Sequence, residues 1–284
     1  MHPVLAEFSI GGDVVLTLRA YSTFYALAWV AGPLVATLAA RAAGLPWRRA
    51  LGVYAVALVA GIVGARLLDF FVAWDFYAED QARILALRFQ GFSLYGGLAL
   101  AALSALGLAR FWRLPLWPLA DSAVPGLVAG IVLMRTGCFL NGCCFGLPTD
   151  LPWGVTYPAG SIAWGEQLAH GTGGLISAMF GIVQPVHPTQ IYEMLAVLLL
   201  GLLAWRLAQR TPPGVPFLAF ALGFTLFRLG NGVLRWRLSV ISAPVWFYPA
   251  FYSALACALA ALLLWRLQKR DGAVGDSPGP SLDC

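Results

Sequence analysis

The chain has 284 residues, of which 60% are apolar and 11% charged. Its mean hydropathy is +0.77. Average soluble domains carry about 25% charged residues, so this composition excludes a soluble globular core and describes a polytopic membrane protein. The net charge of +5 comes largely from Arg residues clustered just beyond apolar spans. The positive-inside rule accounts for that pattern, and nucleic acid is not an expected partner.

Met1 to Gly12 has neither the basic stretch nor the short apolar run of a cleaved signal peptide. A helix needs about 20 apolar residues to cross the hydrocarbon core. Seven stretches qualify, near 20–41, 50–73, 92–109, 117–139, 188–206, 214–234 and 244–265. The expected fold is therefore an all-α polytopic membrane protein with seven transmembrane helices, one membrane domain over residues 1–270.

The connections after spans one, three, five and seven carry Arg41, Arg48 and Arg49; Arg110 and Arg113; Arg206 and Arg210; then Arg266, Lys269 and Arg270. The other side has mixed charge, as in Glu79, Asp80, Arg83 and Arg88. This bias puts the N-terminus outside and the C-terminus in the cytoplasm. The one long loop, about 147–186, then lies outside and could cap a site as a lid. The Gly-, Pro- and Ser-rich segment 271–284 is expected to be a disordered cytoplasmic tail.

Polar residues interrupt the apolar pattern at one depth. Counting about 1.5 Å per residue, Arg66 lies ~24 Å up span two, Arg135 ~27 Å up span four and Arg228 ~21 Å up span six. Tyr21, Tyr95 and His187 open spans one, three and five at the same side. A charge at helix centre costs ~2.5–3.5 kcal/mol on insertion scales, so such residues point to function. Three Arg at one depth repel each other unless an anion is shared among them, and guanidinium suits bidentate contact with phosphate. The expectation is a cationic pocket facing the outer leaflet that binds a phospholipid head group. A single Arg near a span end is ordinarily snorkelling; the convergence of three beside an imidazole argues for a site. A transporter would need a midplane site, which this depth does not supply.

Specific motifs carry a resemblance. They are Met1-His-Pro-Val-Leu with Leu18-Arg-Ala-Tyr21, Gly64-Ala-Arg66-Leu, Gly96-Gly97-Leu98, and Arg135-Thr-Gly with Asn141-Gly and Gly146. Pro148-Thr-Asp-Leu-Pro-Trp-Gly-Val, His187-Pro-Thr-Gln190-Ile-Tyr192-Glu193 and Phe227-Arg228 with Arg235 complete them. Over nearly its whole length the chain resembles a prolipoprotein diacylglyceryl transferase. The resemblance implies a transferase of the bacterial inner (cytoplasmic) membrane, with its site facing the outer leaflet. Such an enzyme moves the diacylglyceryl group of phosphatidylglycerol to the lipobox Cys thiol of a preprolipoprotein, forms a thioether and releases glycerol phosphate. It implies no cofactor, metal or nucleotide. It also implies catalytic roles for Arg135, Arg228, His187 and Tyr95, and substrate contacts for Tyr21, Arg66, Asn141, Gly146, Gln190, Tyr192, Glu193 and Arg235.

The chain departs from the family pattern at Tyr95 (family His), Cys138 (Asn), Cys143 (Glu), Phe224 (Tyr) and Gly232 (Glu). A free thiol costs ~2 kcal/mol to ionise at pH 7, a free Tyr ~4 kcal/mol, so Tyr95 is a poor base. Thiolate formation then falls to Arg135 and Arg228, with His187 as a possible proton acceptor. A repurposed paralogue that binds phospholipid but acts on another acceptor, or on none, is the second reading. Cys138, Cys143 and Cys144 have three readings: a metal or redox site, a disulfide on the oxidising face, or small buried thiols, which the apolar character of free Cys favours.

Overall fold

The computed structural model of the chain describes residues 4–10, 13–72, 94–170, 180, 183–236 and 246–275. In chain order the elements are β1 (Val4–Ile10), β2 (Asp13–Arg19), α1 (Ala20–Ala42), α2 (Trp47–Val72), α3 (Leu94–Phe111), α4 (Leu116–Asn141), α5 (Ile162–Ala169), α6 (Thr189–Ala208), α7 (Val215–Leu234) and α8 (Phe247–Gly275). The helix α8 is described as far as Gly275; the remainder of the expected tail, 276–284, lies outside the described residues.

Six of these helices are long and apolar enough to cross a membrane: α1, α2, α4, α6, α7 and α8. A shorter apolar stretch, Gly96–Phe111, lies in α3. The exterior of the helices is apolar, as at Val30, Leu38, Leu103 and Leu199, each at least 60% exposed. Water does not tolerate so large an apolar surface, and a bilayer does. This is a polytopic membrane protein.

The all-α expectation misses an N-terminal hairpin. The strands β1 and β2 pair antiparallel from Val4 opposite Arg19 to Ile10 opposite Asp13, with irregularities after Val4 and Phe8. The residue types explain it: Val, Phe, Leu and Thr flank a Gly-Gly pair, the residue choice of two-residue hairpin turns.

The described chain forms two compact units, one of Trp29–Ala129 and one of Met1–Ala28 with Gly130–Cys284. In the first, small residues let helices approach closely. A Cβ on Gly64 or Gly96 would strike the other's backbone oxygen across the α2–α3 contact. The same device joins α1 to α4, where a Cβ on Gly126 would meet the Gly32 oxygen and Ala36. The core of this unit is Ala40, Ala50, Val53, Ala109, Leu114 and Leu119. The Tyr54 hydroxyl tethers α2 to α4 through the Leu119 carbonyl at 2.8 Å and Ser122 at 2.6 Å.

Three helices end the same way, in a Schellman motif. At α1 the residue past the cap is Gly44 (φ 76), at α3 Arg113 (φ 55) and at α4 Gly142 (φ 71). In each, the next N–H reaches back five residues: Leu45 to Ala40 at 2.9 Å, Leu114 to Ala109 at 2.8 Å, Cys143 to Cys138 at 3.1 Å. This motif satisfies the orphan carbonyls and pairs the two residues it links. Pro46 and Pro115 follow the first two and stop the helix. The third opens the candidate site.

Candidate active site

The site lies within the unit of Met1–Ala28 and Gly130–Cys284. Beyond Gly142 the chain runs through Cys143, Cys144, Phe145 and Gly146, and its backbone is stitched to the start of α6 and the end of α7. Gln190 Nε2 donates to the Cys143 carbonyl at 2.6 Å and Thr189 Oγ1 to that of Cys144 at 2.6 Å. The N–H of Gly146 donates to His187 O at 2.9 Å, that of Leu147 to Leu234 O at 2.8 Å and that of Trp236 to Phe145 O at 3.1 Å. Gly146 stands where these segments cross: a Cβ there would come within 2.6 Å of His187 Cβ and 2.7 Å of Leu234 O. Packing alone therefore demands glycine. Gln190 is likewise a clamp, because its Nε2 also donates to the Tyr157 hydroxyl at 3.0 Å. Burial pushes the Tyr157 phenol well above its ordinary range, so it stays a neutral partner.

Below this turn sits an ion triad. The Glu193 side chain is 3% exposed; Oε1 accepts from Arg135 Nη2 at 2.8 Å and Oε2 from Arg228 Nη1 at 2.8 Å. Arg228 Nη2 also donates to the Tyr252 hydroxyl at 3.3 Å, and its guanidinium lies 5.9 Å from that ring's centroid. The carboxylate thus joins α4, α6 and α7, and Tyr252 adds α8. This corrects the expectation that Arg135 and Arg228 need a bound anion to coexist: Glu193 is their shared anion. Two guanidiniums against one carboxylate leave the triad one positive charge.

A further cation of this unit, Arg235, stands just past the end of α7. Burial pulls it below the ordinary arginine range, and the charges of Arg228 and Arg135 add to that, against the opposing pull of Cys144. Among the described residues Arg235 has no carboxylate within ion-pair distance. Among the described residues no carboxylate offsets this positive charge, which favours an anionic ligand. Arg66, the third Arg of the expected trio, stands on α2 in the other unit. Tyr95 opens α3 in that unit, and its side chain lies outside what the structure describes.

His187 is held by a relay. Trp153 Nε1 donates to the Tyr192 hydroxyl at 2.8 Å, and that hydroxyl lies 3.2 Å from His187 Nδ1. Because the indole can only donate, the Tyr192 oxygen accepts from Trp153. The pair fixes the orientation of the ring and leaves Nε2 free of this contact. Asn141 ends α4 and lines a 230 Å³ cavity with Gly142, Tyr157 and Ser161.

The Tyr21 and Tyr25 rings meet tilted, with centroids 4.4 Å apart, and the Tyr25 hydroxyl lies 4.0 Å from Cys138 Sγ. Arg135 Nη1 reaches the same sulfur at 4.0 Å. The sulfurs of Cys138, Cys143 and Cys144 lie within 4.8 Å of one another. Cys144 adopts φ 61, a left-handed conformation unusual for a residue with a Cβ. Hydrogen bonds from Cys138 and Cys143 hold the Cys144 thiol below its ordinary range, aided by Arg235 and Arg135. Hydrogen bonds with Cys138 and Cys144, together with burial, push Cys143 up.

The profile of the prolipoprotein diacylglyceryl transferase family matches residues 8–267. The chain belongs to this family. Relatives named phosphatidylglycerol--prolipoprotein diacylglyceryl transferase include one from Synechococcus elongatus, 32% identical over 228 residues, covering 78% of this chain and 74% of the relative. One from Dehalococcoides mccartyi is 30% identical over 80% of both chains. One from Parasynechococcus marenigrum is 27% identical over 94% of both.

Within this family member, the sequence motifs led to Arg135, Arg228, Glu193 and His187 but not to Tyr25, Tyr157 or Tyr252, and Trp153 was quoted within a motif without a role. Tyr25 was signalled by its place one helical turn after Tyr21. Tyr252 looks like an ordinary interfacial aromatic in sequence, and only the fold sets it against Arg228 and sets Trp153 against Tyr192.

Proposed function

We propose that the chain transfers the diacylglyceryl group of phosphatidylglycerol to the lipobox cysteine of a preprolipoprotein, forming a thioether and releasing glycerol phosphate. What carries this reading is the family match over residues 8–267. The site's chemistry supports it. The leaving group gains negative charge as its C–O bond breaks, and Arg235, beside the net-positive Arg135–Glu193–Arg228 triad, is placed to stabilise it. Removing one preorganised donor of this kind typically costs 10²–10³ in rate. His187, oriented by Tyr192, offers Nε2 as the proton acceptor for the incoming thiol. Tyr21, Asn141 and Tyr192 bind lipid or peptide, and Gln190, Gly146 and Glu193 position the groups that do. Arg66 keeps its assignment to substrate binding and Tyr95 its catalytic one.

The protein is read as crossing the bacterial inner membrane seven times, α3 supplying the seventh span, with the site facing the outer leaflet. The basic residues at Arg41, Arg48, Arg49, Arg110, Arg206 and Arg210 support that orientation.

The test incubates the protein in detergent with phosphatidylglycerol and a lipobox peptide and weighs the peptide by mass spectrometry. A diacylglyceryl mass gain that requires the peptide Cys is expected, and Arg228→Ala and Arg235→Ala should each lose it. An unmodified peptide beside lipid-loaded protein would instead establish the lipid-binding paralogue.

A further inference from the structure

Burying a carboxamide among packed helices costs stability unless its two ends find partners. Asn231 is 5% exposed, and neither its Nδ2 nor its Oδ1 has a hydrogen-bond partner among the described residues. Thr225, another buried polar residue of α7, is satisfied within its own helix, donating to the Ala221 carbonyl at 2.7 Å. The buried amide of Gln190 spends its Nε2 on Cys143 and Tyr157. Asn231 has neither recourse. Both of its ends stand open, so the deficit is the same whichever way the amide is turned. An orphaned buried group needs a cause, and a polar ligand is one.

The position of Asn231 says what kind of ligand. It stands three residues after Arg228 and four before Arg235, the spacings that share one helix face. Gly230, Gly232 and Val233 beside it are exposed, so the last turn of α7 faces them outward and this amide inward. Arg228 belongs to the ion triad with Glu193, and Arg235 has no carboxylate within ion-pair distance among the described residues. These cations mark the place of a phosphate. A group that reaches Asn231 from there is joined to that phosphate by a few bonds. In phosphatidylglycerol it is the glycerol head, with two hydroxyls. A hydroxyl both donates and accepts, and so does a carboxamide. An ammonium head only donates, which leaves Nδ2 orphaned, and it brings a positive charge among guanidiniums. A peptide backbone also donates and accepts, but it is neutral and gives no reason for the flanking cations.

We propose that Asn231 reads the diol of the phosphatidylglycerol head group, Nδ2 donating to one hydroxyl and Oδ1 accepting from the other, while Arg235 beside the Arg135–Glu193–Arg228 triad holds the phosphate. The proposal rests on the transferase reading for the identity of the lipid. It adds the residue that chooses among lipids of equal charge. A site built to hydrogen-bond a hydroxyl rejects the analogue that lacks it, because the buried polar group is then left unpaired. The same amide is a burden in the empty protein. Replacing an unpartnered buried polar group by an apolar one of like shape is neutral or stabilising. Stability therefore favours Leu at this position and recognition favours Asn. That opposition separates an amide that reads a ligand from one that holds the fold.

The full-length protein in detergent is offered two lipids with the same acyl chains and the same single negative charge. One is phosphatidylglycerol, the other phosphatidylpropanol, whose head group lacks both hydroxyls. Bound lipid is counted by mass spectrometry from an equimolar mixture, and transfer to a lipobox peptide is measured with each lipid alone. The parent protein should favour phosphatidylglycerol roughly 5- to 150-fold in both, the range that an unpaired buried polar group commands. Asn231→Leu should bring the two lipids to near equality by weakening phosphatidylglycerol. Its thermal midpoint in lipid-free detergent should equal or exceed that of the parent. A parent indifferent to the diol, a Leu variant that keeps the preference, or a lowered midpoint would each overturn the proposal. So would an unchanged lipid preference with a raised KM for the peptide, which would give the amide to the peptide. Preferential binding that Asn231→Leu abolishes, in a protein that transfers nothing, keeps the head-group reader and removes the transferase. Transfer indifferent to the diol removes the reader and leaves the transferase.

Discussion

Glu193 is the residue on which the charged site depends. It is nearly buried and neutralises two guanidiniums drawn from different helices. Taking away one partner of a buried ion pair leaves an uncompensated charge and typically costs 3–5 kcal/mol, far more than the pair contributes against an apolar replacement. Glu193→Gln keeps the shape and the hydrogen-bonding capacity but not the charge, so Arg135 and Arg228 would face each other unscreened. We expect the variant to lose about 3–5 kcal/mol, read as a lower thermal midpoint in detergent. Added anionic phospholipid should restore part of that loss by replacing the carboxylate. A midpoint equal to that of the parent protein would show that the triad carries no structural charge balance. Each member of the triad was visible in the sequence as an ionisable residue at membrane depth. Their pairing was not, because the contacts join positions far apart in the chain. Depth alone left the cations looking for an anion from outside.

At the level of elements, helix approach is governed by what small residues permit. A methyl on Gly96 would meet the Gly64 backbone oxygen and stand 2.5 Å from Leu68 Cβ, whereas one on Gly107 of the same helix would meet nothing within 4 Å. Backbone cannot yield as a flexible side chain does, so Gly96→Ala must push α2 and α3 apart, at a cost of roughly 1–3 kcal/mol. Gly107→Ala instead gains helix propensity of up to about 1 kcal/mol. Opposite shifts in thermal midpoint are therefore expected from the same chemical change on one helix, and equal shifts would refute the close-approach account. The apolar helices were legible because a span needs a long unbroken apolar run. The hairpin was not, because its strands are short and its Gly-Gly signal is local. The Asn141-Gly142 pair that ends α4 was read as a family motif. Its physical role is a helix stop whose geometry brings Cys143 back against Cys138.

For the molecule as a whole, an apolar exterior establishes the membrane but not which way the chain faces. The basic residues break the symmetry. Arg41 ends α1, Arg48 and Arg49 open α2, Arg110 ends α3, and Arg206 ends α6. The segment between α4 and α6 carries the Cys143–Gly146 turn and the short helix α5, capped by Ser161 through the Trp164 N–H at 3.2 Å. If the basic ends face the cytoplasm, that segment and the site beneath it face outward, where phosphatidylglycerol of the outer leaflet and an exported peptide would both be at hand. Introduced cysteines can decide this, each read against a parent that carries Cys257→Ser and Cys284→Ser and keeps Cys138, Cys143 and Cys144. Asp150 is exposed in the α4–α6 segment, and Arg210 is exposed between α6 and α7. A membrane-impermeant maleimide should label Asp150→Cys in intact spheroplasts and Arg210→Cys only after permeabilisation. The reverse pattern would turn the molecule over. The cationic site would then open toward the cytoplasm, where a lipobox thiol would have to be modified before export, and the charge asymmetry would need a cause other than insertion.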